Sequence, residues 1–233
     1  MVTLYSQKHY GHTFTLIDPH IEDHFHKEIH GAAKELLDMG SVNRPLLFER
    51  MIDDHISDKT IHYVFSGLQY FMGHLSNIPD NALYSNLGAT SKKGFEFPLH
   101  TDLYRQKILW ILFNQVADDD SGRTVLLPIQ KFQEILESLD EMPHHIKQKL
   151  LLSIKNNKRD NFNVFFNTLY KRNAPWEKAL KEEFDKHQIS IKFEKGEGYL
   201  LNDRKWLHGR TAPSNGVFHN RLYRMAFNSF ETQ

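Results

Sequence analysis

Phe95-Glu96-Phe97-Pro98-Leu99-His100-Thr101-Asp102 is the stretch on which the reading of this chain turns. Phe95, Phe97 and Leu99 alternate with Glu96, Pro98 and His100, the period of two that marks a β-strand. On a strand, residues two apart project from one face. One face therefore buries Phe95, Phe97 and Leu99, while the other presents the imidazole of His100 and, two residues on, the carboxylate of Asp102. The next segment, Lys107 to Val116, is almost continuously apolar, as a strand covered on both faces would be.

A His followed two residues later by an acid is not itself informative. Fifteen His and 29 acidic residues in 233 positions predict about two such pairs by chance, and three occur. Geometry separates them. His20-Ile21-Glu22 and His26-Lys27-Glu28 lie in a helical pattern, where residues two apart point about 200° from each other and cannot chelate one ion. His20/His24 and His26/His30 have the i,i+4 spacing of a helical metal pair, but they fall on two faces and lack the Glu of an H-E-x-x-H helix. They read as solvated surface. His100 and Asp102 remain, and they need a third ligand from elsewhere in the chain. Trp206-Leu207-His208-Gly209-Arg210, on a predicted strand after Gly196-Glu197-Gly198 and Asn202-Asp203, supplies His208. Two His and one carboxylate without a thiolate are the ligand set of non-haem Fe(II) oxygenases. A closed zinc site would want a fourth protein ligand.

Outward from this stretch, the pattern changes in both directions. Ile21, Phe25, Ile29, Ala32, Ala33, Leu36 and Leu37 recur at helical spacing, with Asp18-Pro19 as a start and Gly40 as a stop. Ile61, Val64, Leu68, Phe71 and Leu75 mark a second helix, so residues 1–80 read as a helical amino-terminal part. From Ala82 the texture turns to strands, with Asn86 on the first of them. Pro128–Leu139, Pro143–Ile154 and Pro175–His187 are helical again, with Asn161–Phe166 as a short strand, which makes 128–187 a mainly helical insert. Ile189–Phe193, Gly198–Leu201, Trp206–Arg210 and Arg221–Phe230 read as strands separated by turn residues. The expected class is α+β with an antiparallel sheet core, in a single domain over 1–233.

Composition narrows the classes of function. Twenty-nine basic against 29 acidic residues leave no basic excess to suggest nucleic acid. The absence of Cys excludes disulfides, thiolate metal sites and cysteine nucleophiles. No apolar run has signal-peptide or membrane-span length, the longest candidate being Ile108–Phe113, so no membrane partner is expected and a cytoplasmic location is the default.

Phe97-Pro98-Leu99-His100-Thr101-Asp102-Leu103, then Gly122-Arg123-Thr124, then Gly198-Tyr199-Leu200-Leu201-Asn202-Asp203-Arg204-Lys205-Trp206-Leu207-His208-Gly209-Arg210, followed by Arg221 and Arg224, resemble in order the Fe(II)/2-oxoglutarate-dependent oxygenases. The likeness is greatest to the taurine dioxygenase and clavaminate synthase branch, and it spans roughly Phe95 to Phe230. The resemblance implies a double-stranded β-helix (jelly-roll) core with flanking helices. It makes His100, Asp102 and His208 the Fe(II) ligands and catalytic centre, with 2-oxoglutarate as cosubstrate and O2 as oxidant. Thr124, 24 residues after the first His, and Arg221, 13 after the second, match the family's positions for holding the distal carboxylate of 2-oxoglutarate. Arg224 is the rival anchor. It follows Arg221 by three, which on a regular strand sends the two to opposite faces unless a bulge realigns them. The order Asn202-Asp203-Arg204 also departs from the family's usual Asp-Asn-Arg.

The implied reaction is oxidation, by default hydroxylation, of an unactivated C–H in a small polar metabolite such as an amino acid or its derivative, with release of succinate and CO2. Two other readings stay open: a metal-binding jelly roll without oxygenase activity (a sensor, hydrolase or isomerase), and a hydroxylase of proteins or peptides. The substrate and the oligomeric state are not legible in the sequence.

Overall fold

The computed structural model describes residues 2–6, 14–16, 22–38, 44–49, 56–87, 96–102, 106–116, 119–156, 161–212 and 221–230. Two antiparallel sheets form its centre. The larger runs in the order β2 (Phe14–Leu16), β1 (Val2–Ser6), β3 (Leu46–Glu49), β9 (Gly198–Asn202), β6 (Ile108–Gln115), β11 (Arg221–Phe227) and β4 (Ala82–Leu87). The smaller runs β5 (Phe97–His100), β10 (Trp206–Arg210), β7 (Thr124–Pro128), β8 (Ile189–Ile191). From β4 onward the chain passes back and forth between the sheets, so segments distant in sequence meet between them.

Three apolar layers account for the packing. Between the sheets, Leu109, Ile111 and Phe113 of β6, Tyr199 and Leu201 of β9 and Ala226 of β11 meet Leu126 of β7. Alternate residues of the same strands face outward: Ile108, Trp110 and Leu112 pack under α1 (Glu22–Asp38) and α2 (Asp58–Leu75). That two-sided burial explains why β6 has no polar face until Asn114. Ser57 caps α2 by accepting the Thr60 N–H at 3.1 Å, and Asp58 adds favourable charge in the first turn. Its buried stripe, Ile61, Val64, Phe65, Leu68 and Met72, lies on the large sheet, with the Phe65 ring stacked 4.8 Å from Trp110. Burial of each such side chain contributes about 1.5–3 kcal/mol.

The helical insert backs the small sheet. It comprises α3 (Ile129–Ser138), α4 (His144–Asn156), α5 (Asn161–Leu169) and α6 (Glu177–His187), and it packs on Leu99, Val125, Leu127 and Leu207. Three expectations are corrected here. Asn161–Phe166 is the start of a helix, because Phe165 and Leu169, one turn apart, both enter this layer and Phe165 meets Phe132 edge-on at 5.9 Å. The amino-terminal part is not purely helical, since β1, β2 and β3 extend one edge of the large sheet. Phe97 is 44% exposed rather than buried, because β5 is an edge strand whose pairing with β10 is irregular between Arg210 and His208. Phe95 lies outside the described residues. Asn86 is exposed on the edge strand β4.

Gly209 sits at that irregularity. A Cβ there would meet Phe97 O at 2.7 Å, Leu99 N at 2.9 Å and the Pro98 carbonyl carbon at 2.9 Å, all of them backbone atoms. Only a residue without a side chain allows β5 to approach β10 so closely. Gly209→Ala should therefore destabilise the protein by about 1–3 kcal/mol, in the range of overpacking changes. Urea unfolding measures this, and a wild-type midpoint would show that the strands do not need this approach.

Candidate metal centre

The pairing of β5 with β10 places His208 directly opposite His100, with ring centroids 4.3 Å apart. Leu99 turns away into the helical layer, so His100 faces the space between the sheets, as the alternation predicts. Asp102 follows two residues later, just beyond the end of β5. The Asp102 carboxylate lies between the two rings: His100 Nε2 is 3.8 Å from Oδ1 and His208 Nε2 is 3.8 Å from Oδ2. Among the described residues these three side chains each offer one ligand atom, and those atoms all lie within 4.8 Å of one another.

A hydrogen bond fixes which nitrogen of His100 is available. His100 Nδ1 is 2.8 Å from Pro98 O, a carbonyl that can only accept, so Nδ1 carries the proton and Nε2 keeps its lone pair. His208 Nδ1 lies 3.5 Å from the Tyr199 hydroxyl, while its Nε2 is buried with no hydrogen-bond partner among the described residues. A buried polar atom left in this way is costly unless something completes it. Burial lowers the pKa of both imidazoles. For His100 it outweighs the opposing pull of Asp102; for His208 it acts with the nearby His100 and Arg224 and pushes the value well down. Both rings are thus neutral at physiological pH, the form that binds a metal.

Four further side chains surround the carboxylate and the rings. Arg224 Nη1 pairs with Asp102 Oδ2 at 3.1 Å. The backbone N–H of Asp102 donates to Asp203 Oδ1 at 3.2 Å, and the same oxygen is 3.6 Å from His208 Nε2. Phe97 meets the His100 ring edge-on at 4.4 Å, and Phe166 of α5 lies 6.4 Å from it. Tyr170, at the end of the same helix, donates to Leu99 O at 2.6 Å and ties the insert to β5.

The expected cosubstrate residues fall as follows. Thr124 is buried and pairs across the ladder with Arg210, two residues along from the Leu126–His208 pair, so Thr124, Arg210 and His208 share the inward face. Burial pushes the Arg210 guanidinium down to about 10. On β11 the residues packed between the sheets are Leu222 and Ala226, which puts Arg224 on the inward face with them. Arg221 opens β11 opposite Gln115, and the register shifts between Arg221 and Leu222, with Asn114 of β6 as the extra residue. The Arg221 side chain lies outside the described residues.

Tyr199 and Asp203 were not legible as site residues. Tyr199 reads as an ordinary strand aromatic, and Asp203 showed only as a reversal of the usual Asp-Asn order. Of the rival helical His set, His30 packs edge-on against Phe71 at 5.4 Å, while His20 and the side chains of His24 and His26 lie outside the described residues.

Solved structures that align with the chain include oxygenases. Asparagine oxygenase (AsnO) aligns with a TM-score of 0.43 and 11% identity, covering 89% of this chain and 78% of that one. The non-haem iron oxygenase OrfP, also solved with Fe and α-ketoglutaric acid, aligns at 0.40 with 10% identity, covering 86% of this chain and 80% of its own. PvcB from Pseudomonas aeruginosa aligns at 0.41 with 12% identity, covering 81% and 76%. No family model matches the chain, and no curated protein matches it in sequence. No helix among the described residues is long and apolar enough to cross a membrane.

The neutral state of the two rings has a consequence for stability. Their folded pKa values lie below the ordinary 6.5, so below that pH the unfolded chain binds more protons than the folded one. Metal-free protein should lose stability as the pH falls from about 7 towards 5, and His208→Gln should make the decline shallower. Urea midpoints in the presence of a chelator test this; an unchanged slope in the variant would mean that His208 is not held neutral.

Proposed function

We propose that the chain is a single-domain Fe(II)- and 2-oxoglutarate-dependent oxygenase acting on a small polar molecule, and that its two sheets form a double-stranded β-helix. The observation that carries this reading is the convergence of His100, Asp102 and His208, with the buried His208 Nε2 left without a hydrogen-bond partner among the described residues. The donors fit the metal. Two neutral imidazoles and one carboxylate, with no thiolate in the chain, suit an Fe(II) centre that keeps coordination positions open. When bound, iron supplies the means to couple O2 reduction to decarboxylation of 2-oxoglutarate and oxidation of a C–H bond.

The work of the protein is positional and electrostatic. Pro98 O fixes the His100 tautomer, and Arg224 occupies one oxygen of Asp102, which leaves the other for the metal. The inward face between the sheets carries Thr124 with the Arg210 and Arg224 guanidinium groups, a setting that favours an anionic cosubstrate. By their places in the sequence motif, Thr124 and Arg221 take the role of holding the distal carboxylate of 2-oxoglutarate. The apolar layer between the sheets limits water around the centre.

Anaerobic addition of Fe(II) and 2-oxoglutarate should produce a weak visible charge-transfer band, and a metabolite mixture containing the substrate should raise succinate formation. Asp102→Ala should abolish both. A bound metal without the band would favour a non-oxygenase jelly roll, and turnover retained by Asp102→Ala would overturn the site assignment.

A further inference from the structure

Asp203 is a buried carboxylate to which the proposed reaction assigns nothing. Its side chain is 3% exposed, and it lies in the turn between β9 and β10, five residues before His208. Desolvating a carboxylate to this degree is costly unless hydrogen bonds offset it. The neighbouring Asn202 accounts for the turn itself: its Oδ1 accepts the Arg204 N–H at 2.9 Å and its carbonyl accepts the Lys205 N–H at 2.9 Å. Asp203 instead reaches away from the turn to a different part of the chain. Its Oδ1 accepts the backbone N–H of Asp102 at 3.2 Å, and its own N–H donates to Lys107 O at 2.8 Å. Residue 203 therefore grips the β5–β6 connection near both ends, at Asp102 and at Lys107.

We propose that Asp203 is a positioning residue for the metal centre, fixing the backbone of Asp102 through its Oδ1 so that Arg224 can hold one carboxylate oxygen while the other is presented to the metal. The inference rests on the metal-centre reading above and adds a residue to it. Asp102 lies beyond the last paired residue of β5, so the β-ladder that places His100 against His208 does not extend to it. The hydrogen bond that the Asp102 N–H donates to Asp203 and the ion pair with Arg224 take over from the ladder at that point. The same Asp203 oxygen stands 3.6 Å from His208 Nε2, so one side chain borders two of the three ligands. Because the function is carried by an acceptor atom, Asn at this position should serve as well as Asp: it offers the same Oδ1 without the charge.

Anaerobic Co(II) titration tests this, with the dissociation constant and the visible Co(II) spectrum as readouts and thermal unfolding of the chelated protein as a measure of folding. Asp203→Ala should weaken Co(II) binding by roughly 10–100-fold, the range for loss of a residue that orients a metal ligand, and should change the spectrum. Asp203→Asn should stay within a few-fold of wild type and keep its spectrum. Wild-type affinity and spectrum in Asp203→Ala would overturn the proposal, as would an Asn variant that loses as much as Ala. If Asp203→Ala does not fold, Asp203→Ser, whose hydroxyl is too short to make the contact, is read by the same criteria. Wild-type protein that binds no Co(II), or binds it unaffected by His208→Gln, would instead overturn the metal-centre reading and the role of Asp203 with it.

Discussion

The antiparallel pairing of β5 with β10 is the constraint from which the site follows. It sets His100 opposite His208 and requires Gly209 to lie bare against the backbone of Phe97, Pro98 and Leu99. β10 is held on its other side by five regular pairs with β7, which puts Thr124 and Arg210 on the face that carries His208. The insert helices and the Tyr170 hydrogen bond support β5 from behind, and the large sheet closes the layer from the front. A shift of β5 by one residue would turn His100 out of the interior and Leu99 into it.

Burial shapes the chemistry of what this pairing assembles. Two imidazoles and two carboxylates lie close together with little access to water, an arrangement costly to maintain without compensation. The rings respond by remaining neutral, and the carboxylate of Asp102 by pairing with Arg224. The result is three ligand atoms within 4.8 Å of one another, and among the described residues His208 Nε2 has no hydrogen-bond partner. A divalent cation is a natural partner for such a set, and its binding would offset part of the cost of assembling it.

Much of this was legible in the sequence because strand periodicity reports sidedness. Leu99 against His100 and Asp102, and the unbroken apolar run of β6, each state how many faces are covered. The helices α1, α2, α3, α4 and α6 announce themselves by spacing, and all but α2 by a start signal as well. Where local patterns are short, tertiary packing decides instead. Asn161–Phe166 is rich in residues that favour strands, yet one turn of helix is what lets Phe165 and Leu169 share a layer with Phe132. β1, β2 and β3 are three to five residues long and gain their identity only from the edge they extend. The contribution of Asp203 could not be read at all, since it acts on a backbone N–H 101 residues away.

The central claim is that one metal ion is held jointly by His100, Asp102 and His208. Anomalous diffraction from crystals grown anaerobically with Fe(II), recorded on either side of the iron absorption edge, tests it most directly. The account predicts a single anomalous peak in contact with the Nε2 atoms of both rings and one oxygen of Asp102, with Arg224 on the other. Iron bound elsewhere, or no iron in well-ordered crystals with these three side chains arranged as described, would contradict it.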